Sequence, residues 1–184
     1  MSSFEFQPTL ENETVRIQPL QSADFELLYK IASDPLLWEQ HPNPNRYQRE
    51  VFETFFKGAI ESGGAFLVFD KKTNQPIGSS RFSDLNPGQN TVCIGYTFIA
   101  RDHWGSVYNR AFKTLMLDHA FRFVEHVVFK IGACNIRSQT AIERLGAIKI
   151  AEAEIAYFGE AEKPNFIYQI EKKAWEHRTQ ASVI

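Results

Sequence analysis

A strand that passes through a short glycine-containing turn into a long amphipathic helix, and then into a second strand, leaves few architectures open. Thr91 to Ile99 is such a strand. Val92, Ile94, Tyr96 and Phe98 alternate with Thr91, Cys93, Gly95, Thr97 and Ile99, the period-two pattern that sends successive side chains to opposite faces of a sheet. Trp104-Gly105-Ser106 makes the turn, and a helix then runs to about Phe123 with Ala111, Phe112, Leu115, His119 and Phe123 as its stripe. Val127 to Ile131 follows as a strand of the buried type. Strand, helix and strand in one sheet demand a parallel pair joined by a right-handed crossover.

The remaining elements wrap around that unit. Val15 to Leu20 reads as a strand, with Ser22 as the expected N-cap of a helix carrying Phe25, Leu28 and Ile31 or Ala32 and stopped by Asp34-Pro35. Pro35, Pro42 and Pro44 keep the next stretch irregular. Phe52, Phe55, Phe56, Ala59 and Ile60 stripe a second helix that ends at Gly63-Gly64. Ala65–Phe69, Ile77–Phe82 and Thr91–Ile99, separated by turns at 70–76 and 85–90, predict an antiparallel meander. Near the end come a helix capped by Asn135 and closed by Gly146, strands over 148–157 and 165–170, and a short helix over 172–180. The fold expected is α/β with α+β character: a mixed, mostly antiparallel sheet of six to seven strands with helices on both faces. It forms one domain over 1–184, with its core over about 14–171.

With 184 residues, 43% hydrophobic and 23% charged, the chain can bury one core and is neither disordered nor fibrous. A net charge of −2 supplies no field for nucleic acid or anionic lipid. No stretch is apolar enough to cross a bilayer, and Met1–Glu13 lacks a secretory-signal pattern. Two cysteines, Cys93 and Cys134, suggest neither a disulfide framework nor a zinc site, so the expected compartment is a reducing cytoplasm. Five histidines, at 41, 103, 119, 126 and 177, show no ligand spacing, and no metal is expected.

The turn before the long helix carries the chemistry. The first amides of a helix have no internal partner, and with the helix dipole they favour an anion, phosphate above all. Trp104-Gly105-Ser106-Val107-Tyr108-Asn109 occupies that place, with Arg101 and Arg110 at its flanks. From spacing alone, an ordinary turn closed by water is the better reading.

Taken together, Ile94-Gly-Tyr-Thr-Phe-Ile99, His103-Trp-Gly-Ser-Val-Tyr-Asn109, Asn135-Ile-Arg-Ser138 and Glu143-Arg-Leu-Gly146 resemble the GCN5-related N-acetyltransferase (GNAT) superfamily. The branch they resemble most is the RimJ/RimL-like group, over roughly residues 14–171. The resemblance implies an acetyl-CoA site between the strand ending near Ile99 and the strand beginning near Val127. It places the pantetheine arm on backbone groups of Phe98, Ile99 and Ala100, and the pyrophosphate on the amides of Gly105, Ser106, Val107, Tyr108 and Asn109. Arg101 and Trp104 flank these groups. Asn135 matches a position near the pantetheine; from the sequence alone a plain helix N-cap is the better reading, and the two roles are compatible. Ser138 matches one near the thiol, which can protonate the departing thiolate. The family's central loop glycine is replaced here by Val107, whose branched side chain can crowd a phosphate oxygen or stiffen the turn, while a right-handed φ would leave its amide usable.

Acetyl transfer to an amine requires removal of a proton from the amine, a donor for the carbonyl oxygen and release of the thiolate. Relatives often carry an acid at the position of Cys93, which here reads as a small buried hydrophobe. Glu39 and His41, in the irregular Trp38–Pro42 stretch, are the candidate bases, with Asp84 behind them; a solvated Glu and a loop His are the plainer readings. Trp38, Phe66, Tyr96 and Tyr157 are candidates to wall an acceptor pocket or simply to fill the core. The function expected is N-acetyl transfer to a small-molecule amine or a protein N-terminus by direct attack in a ternary complex. The alternatives are a non-catalytic CoA- or anion-binding module and a self-associating domain, with a homodimer possible.

Overall fold

The computed structural model describes residues 3–181, so positions 1, 2 and 182–184 of the expected domain lie outside the described residues. The strands are β1 (Leu10–Glu11), β2 (Val15–Pro19), β3 (Ala65–Asp70), β4 (Gln75–Asn86), β5 (Thr91–Ile99), β6 (His126–Gly132), β7 (Ile148–Ala156) and β8 (Glu162–Glu171). The helices are α1 (Phe25–Ala32), α2 (Arg49–Glu61), α3 (Tyr108–Ala120), α4 (Ile136–Glu143) and α5 (Lys172–Ala181). All strands join one eight-stranded sheet in the order β1-β2-β3-β4-β5-β6-β8-β7. The eighth strand is the two-residue β1, too short to leave a sequence pattern.

Every strand pair is antiparallel except β5 with β6, which α3 connects as the expected parallel crossover. Helices cover both faces. On one, Phe112, Met116 and Leu117 of α3, Ile142 of α4 and Trp175 of α5 pack on Val92, Ile94 and Val127 of the sheet. On the other, Leu28 and Ala32 of α1 and Phe52, Phe55 and Phe56 of α2 pack on Leu67 and Phe98. Each fully buried Phe or Leu contributes about 1.5–3 kcal/mol, so the α2 stripe alone fixes that helix to the sheet.

Three local readings are corrected. Ser22 is not an N-cap: residues 22–24 form a 3-10 turn in which the Asp24 carboxylate accepts from the Gln21 amide at 2.8 Å, and α1 starts at Phe25. β4 continues to Asn86, beyond the turn expected from residue 85. Tyr96 and Phe98 do not share a face with Val92 and Ile94. Ser79 pairs with Phe98 but Arg81 with Gly95, so β5 carries one extra residue there, and Tyr96 takes a left-handed φ of 51°. That bulge inverts the alternation, and Phe98 joins the α1–α2 core while Ile94 stays in the other.

Candidate active site

The parallel pairing of β5 and β6 is brief. It covers Thr91 with His126, Val92 with Val127 and Cys93 with Val128, and stops there. Beyond it β6 follows β8 to the Gly132–Asn165 pair, while β5 follows β4 to the Gly78–Ile99 pair. The two strands therefore part like a wedge whose apex is Cys93. Along β5, the Ala100 amide donates to Ile77 of the β4 edge at 2.7 Å. Neighbouring residues of a strand point their backbone groups to opposite sides, so the Ile99 amide and carbonyl face the wedge. The Ala100 amide is thus spent on β4 and the Ile99 carbonyl is taken by the Trp104 indole, so the Ile99 amide is the group this edge offers the wedge.

The turn after β5 is built on Gly105, whose φ of +67° suits a residue without a side chain. Val107 occupies the N-cap of α3 with φ −72° and ψ −18°, and no side chain caps this helix. Its first amides thus face outward without a protein partner from the cap. The Val107 side chain is 64% exposed, and its right-handed backbone leaves the amide usable, so the expected crowding is not built into the turn. Arg101 lies in an exposed ion pair with Asp34.

Asn135 caps α4 by accepting from the Ser138 amide at 3.2 Å. Arg137, between them, ties three segments together. Its guanidinium lies 3.7 Å from the centre of the Trp104 ring, and its backbone amide donates to Gln40 Oε1 at 3.0 Å. Its side chain also pairs with Glu39 at 3.4 Å. Trp104 in turn donates its indole N–H to the Ile99 carbonyl at 2.9 Å. Glu39 is therefore exposed and held against α4 rather than aimed at the wedge.

His41 is committed as well. Arg46 Nη1 approaches His41 Nε2 at 3.1 Å, and His41 Nδ1 lies 3.3 Å from the Asn43 carbonyl. The Asn43 amide also donates to His41 Nδ1 at 2.9 Å, so both ring nitrogens face N–H donors and the protonated ring is disfavoured. Burial, then the Arg46 charge, pushes its pKa well below the ordinary imidazole range. Arg46 itself is 2% exposed, pairs with Glu160 of the β7–β8 turn through Nε (2.9 Å) and Nη2, and lies over the Trp38 and Phe55 rings. Pro42 packs against Gly132 so closely that a Cβ there would fall 2.2 Å from the Pro42 ring.

On the α2 face, a cavity of about 120 Å³ opens beside the wedge apex, lined among others by Asp84, Cys93, Gly95, Tyr96, Lys130 and Tyr157. Asp84 sits on a second bulge (φ 50°) and pairs with Lys130 at 2.8 Å. Burial raises the Cys93 thiol to about 11, so it is inert at neutral pH. Of the aromatics expected to wall a pocket, Tyr96 and Tyr157 do so, while Phe66 is core and Trp38 is buried with its indole donating to Ala32. Arg81 leaves β4 on this face and lies 3.9 Å from the Tyr96 ring centre. Behind the bulge, Lys113 of α3 is 3% exposed and reaches Thr97 Oγ1 (2.5 Å) and Ser80 Oγ (3.2 Å).

Arg46, Arg81, Lys113 and Arg137 were absent from the sequence expectations. Two carried a signal: Arg81 interrupts an otherwise small and apolar strand, and Lys113 falls on the buried side of α3 beside Phe112 and Met116. Among the described residues no group of three or more His, Cys, Asp or Glu could hold a metal ion, and no helix is long and apolar enough to cross a membrane.

A parted parallel strand pair with an uncapped helix N-terminus at its mouth makes an anion-binding wedge, as the acyltransferase resemblance implies. Residues 14–148 match the family described as Acetyltransferase (GNAT) domain, and the chain belongs to that family. Membership implies acyl transfer from acetyl-CoA. Among solved structures, a GCN5-related N-acetyltransferase from Brucella melitensis superposes with a TM-score of 0.83 at 17% identity, covering 97% of this chain and 85% of that one. Spermidine N-acetyltransferase from Vibrio cholerae, in complex with CoA and spermine, gives 0.67 at 15% identity over 90% and 99%. Mycobacterium smegmatis RimJ, in complex with CoA-disulfide, gives 0.70 at 13% identity over 91% and 88%. At these identities the likeness is one of fold.

Proposed function

We propose that the chain is an acetyl-CoA-dependent N-acetyltransferase of the RimJ/RimL-like branch, acting as one domain over 1–184 in a reducing cytoplasm. The observation that carries this reading is the wedge between β5 and β6 with the uncapped start of α3 at its mouth. The residues there fit the cofactor. The open turn at Gly105 leaves room for a phosphate, since nothing lies within 4 Å of a Cβ built on it. The leading amides of α3, from Tyr108 and Asn109, are the donors we assign to the pyrophosphate, with those of Ser106 and Val107 beside them.

Acetyl-CoA supplies an activated thioester carbonyl. The Ile99 amide faces the wedge and is the donor assigned to that oxygen. Ser138, on the first turn of α4 where β6 ends, is assigned the proton for the leaving thiolate. Glu39 lies outside the cavity and both His41 ring nitrogens face N–H donors, so the proton of the amine is assigned to Asp84, which lines the cavity beside the apex and pairs with Lys130 through Oδ2. The acceptor is a primary amine, on a small molecule or a protein N-terminus, that enters from the α2 face. A homodimer would use the edge strand β7, where Ile148 and Ile150 are exposed.

Titration calorimetry with acetyl-CoA, followed by thiol release with a panel of amines, tests the reading. Saturable heat and amine-dependent thiol release are expected, and Asp84→Asn should lower kcat while leaving acetyl-CoA binding intact. A second reading, a CoA-binding module without turnover, is favoured by Cys93 in the cavity where relatives often carry an acid. Binding without thiol release for any amine would select it.

A further inference from the structure

We propose that Arg81 is the carboxylate-binding residue of the acceptor site, so that the acceptor is an amino acid or a similar amine carrying a carboxylate close to its nitrogen. This rests on the transferase reading above and narrows it.

The observation is an unsatisfied guanidinium edge. Arg81 is 4% exposed, and its Nη1 donates to the Gly58 carbonyl of α2 at 3.1 Å. Its Nε and Nη2 are buried and have no hydrogen-bond partner among the described residues. Buried polar groups are almost always paired, and an orphan marks a place where something else binds. These two donors are not scattered. Nε and Nη2 lie side by side on one edge of the planar group, the edge that takes both oxygens of a carboxylate in parallel.

The same molecule shows that edge when it is filled. Arg46 turns its Nε and Nη2 to one carboxylate oxygen, Oε1 of Glu160. Arg81 has no such acid; Asp84 is paired with Lys130, and Glu160 with Arg46. Beside this cavity, the guanidinium without an acid partner among the described residues is that of Arg81. Stacking on Tyr96 engages the flat face of the guanidinium and leaves its edge free.

Position supplies the link to the acceptor. Arg81 does not itself line the cavity beside the wedge apex; Tyr96 does, with Asp84 on the same wall, and carries the guanidinium on its ring, so a carboxylate reaches that edge by displacing Tyr96. A zwitterion fits that polarity, with its amine toward Asp84 and its carboxylate toward Arg81. An amine with no acid group would leave the Arg81 edge as it stands, buried and unpaired.

The test compares L-phenylalanine and L-alanine with phenethylamine and ethylamine, which keep the amine and lack the carboxylate. With wild-type enzyme, kcat/KM should favour the acids by about 10- to 100-fold, the worth of a buried charge-assisted pair, with the difference in KM. Arg81→Gln should remove that preference, and Arg81→Lys should keep part of it. Independently of turnover, L-phenylalanine should raise the melting temperature of wild-type protein and not that of Arg81→Gln; if Arg81→Gln does not fold, Arg81→Lys and L-phenylalanine methyl ester replace it. Equal kcat/KM for acids and amines, an unchanged preference in Arg81→Gln, or a stronger preference for O-phosphoethanolamine would each overturn the proposal. A transferase reading that is itself wrong looks different: no acetyl-CoA heat and no thiol release with any amine.

Discussion

The indole N–H of Trp104 closes on the carbonyl of Ile99 at 2.9 Å, joining the turn before α3 to the last residue of β5. The other side of the indole system carries Arg137, so one aromatic ring connects β5, the phosphate-type turn and α4. Trp104→Phe keeps the ring and removes the donor, leaving a strand-end carbonyl without its partner. A loss of about 1 kcal/mol is expected from urea unfolding, together with weaker acetyl-CoA binding by calorimetry. Trp104→Ala should cost more, since packing and the Arg137 contact go with the hydrogen bond. Equal stability of Trp104→Phe and wild type would mean that water serves the carbonyl as well.

What could be read in the sequence, and what could not, follows from the range of the forces involved. The α2 stripe, the β3–β5 meander, the crossover helix and the Asn135 cap are local patterns, and each element is present, although β4 runs on to Asn86 and α3 stops at Ala120 rather than near Phe123. The bulge at Tyr96 left no trace, because tyrosine is not a residue that favours a positive φ and only the pairing with β4 forces it there. Pairs such as Arg46 with Glu160 are 114 positions apart in the chain, and no periodicity reports on them. Glu39 and His41 were chosen for their chemistry and for the irregular segment that holds them. Their partners, Arg137 and Arg46, are supplied by tertiary packing alone.

Arg46 and Glu160 form a buried pair, and such pairs are strongest as a unit. Glu160→Gln leaves the guanidinium uncompensated under Trp38 and Phe55 and should cost about 3–5 kcal/mol in chemical denaturation. The double variant Arg46→Met/Glu160→Leu should recover much of that loss. A double variant as unstable as the single one would mean that the pair stabilises the fold beyond satisfying its own charge.

His41 gives the acid limb of stability a definite sign. Unfolded, it protonates near its usual value of about 6.5; folded, it resists the proton because it is buried and faces Arg46. Below about pH 6.5 the unfolded chain binds a proton the folded chain refuses, so stability falls as pH falls through that window. His41→Gln retains an acceptor for Arg46 and cannot titrate, and its stability should decline less steeply there. Parallel acid limbs in the two proteins would assign the decline to other groups.

Val107 and Gly105 exchange the roles the loop pattern suggests. Val107 is right-handed and solvent-exposed, so Val107→Gly should leave acetyl-CoA affinity unchanged and lower stability by about 0.5–1 kcal/mol through backbone entropy. Gly105, at φ +67°, has space for a methyl group but not the conformation for one. Gly105→Ala should cost about 1 kcal/mol or more and weaken the cofactor as the turn shifts. Tighter binding by Val107→Gly would restore the crowding that the backbone angles argue against.

Lys113 stores a penalty that pH can reveal. Its amine is buried among Ser80, Thr97 and the Phe112 and Phe129 rings with no carboxylate partner among the described residues, and burial brings its pKa down to about 7. In the unfolded chain a lysine holds its proton to about pH 10.4. Between those values the unfolded state carries the extra proton, so the folded state gains stability as pH rises across the window and bears the full cost below about 7. Lys113→Met removes the cost, and Ser80 and Thr97, already 2.8 Å apart, can satisfy each other. The variant should therefore be more stable than wild type by about a few kcal/mol near pH 6, with the margin shrinking steadily toward pH 10. A margin that does not change with pH would show that the amine stays charged in the fold, held by a partner stronger than two hydroxyls.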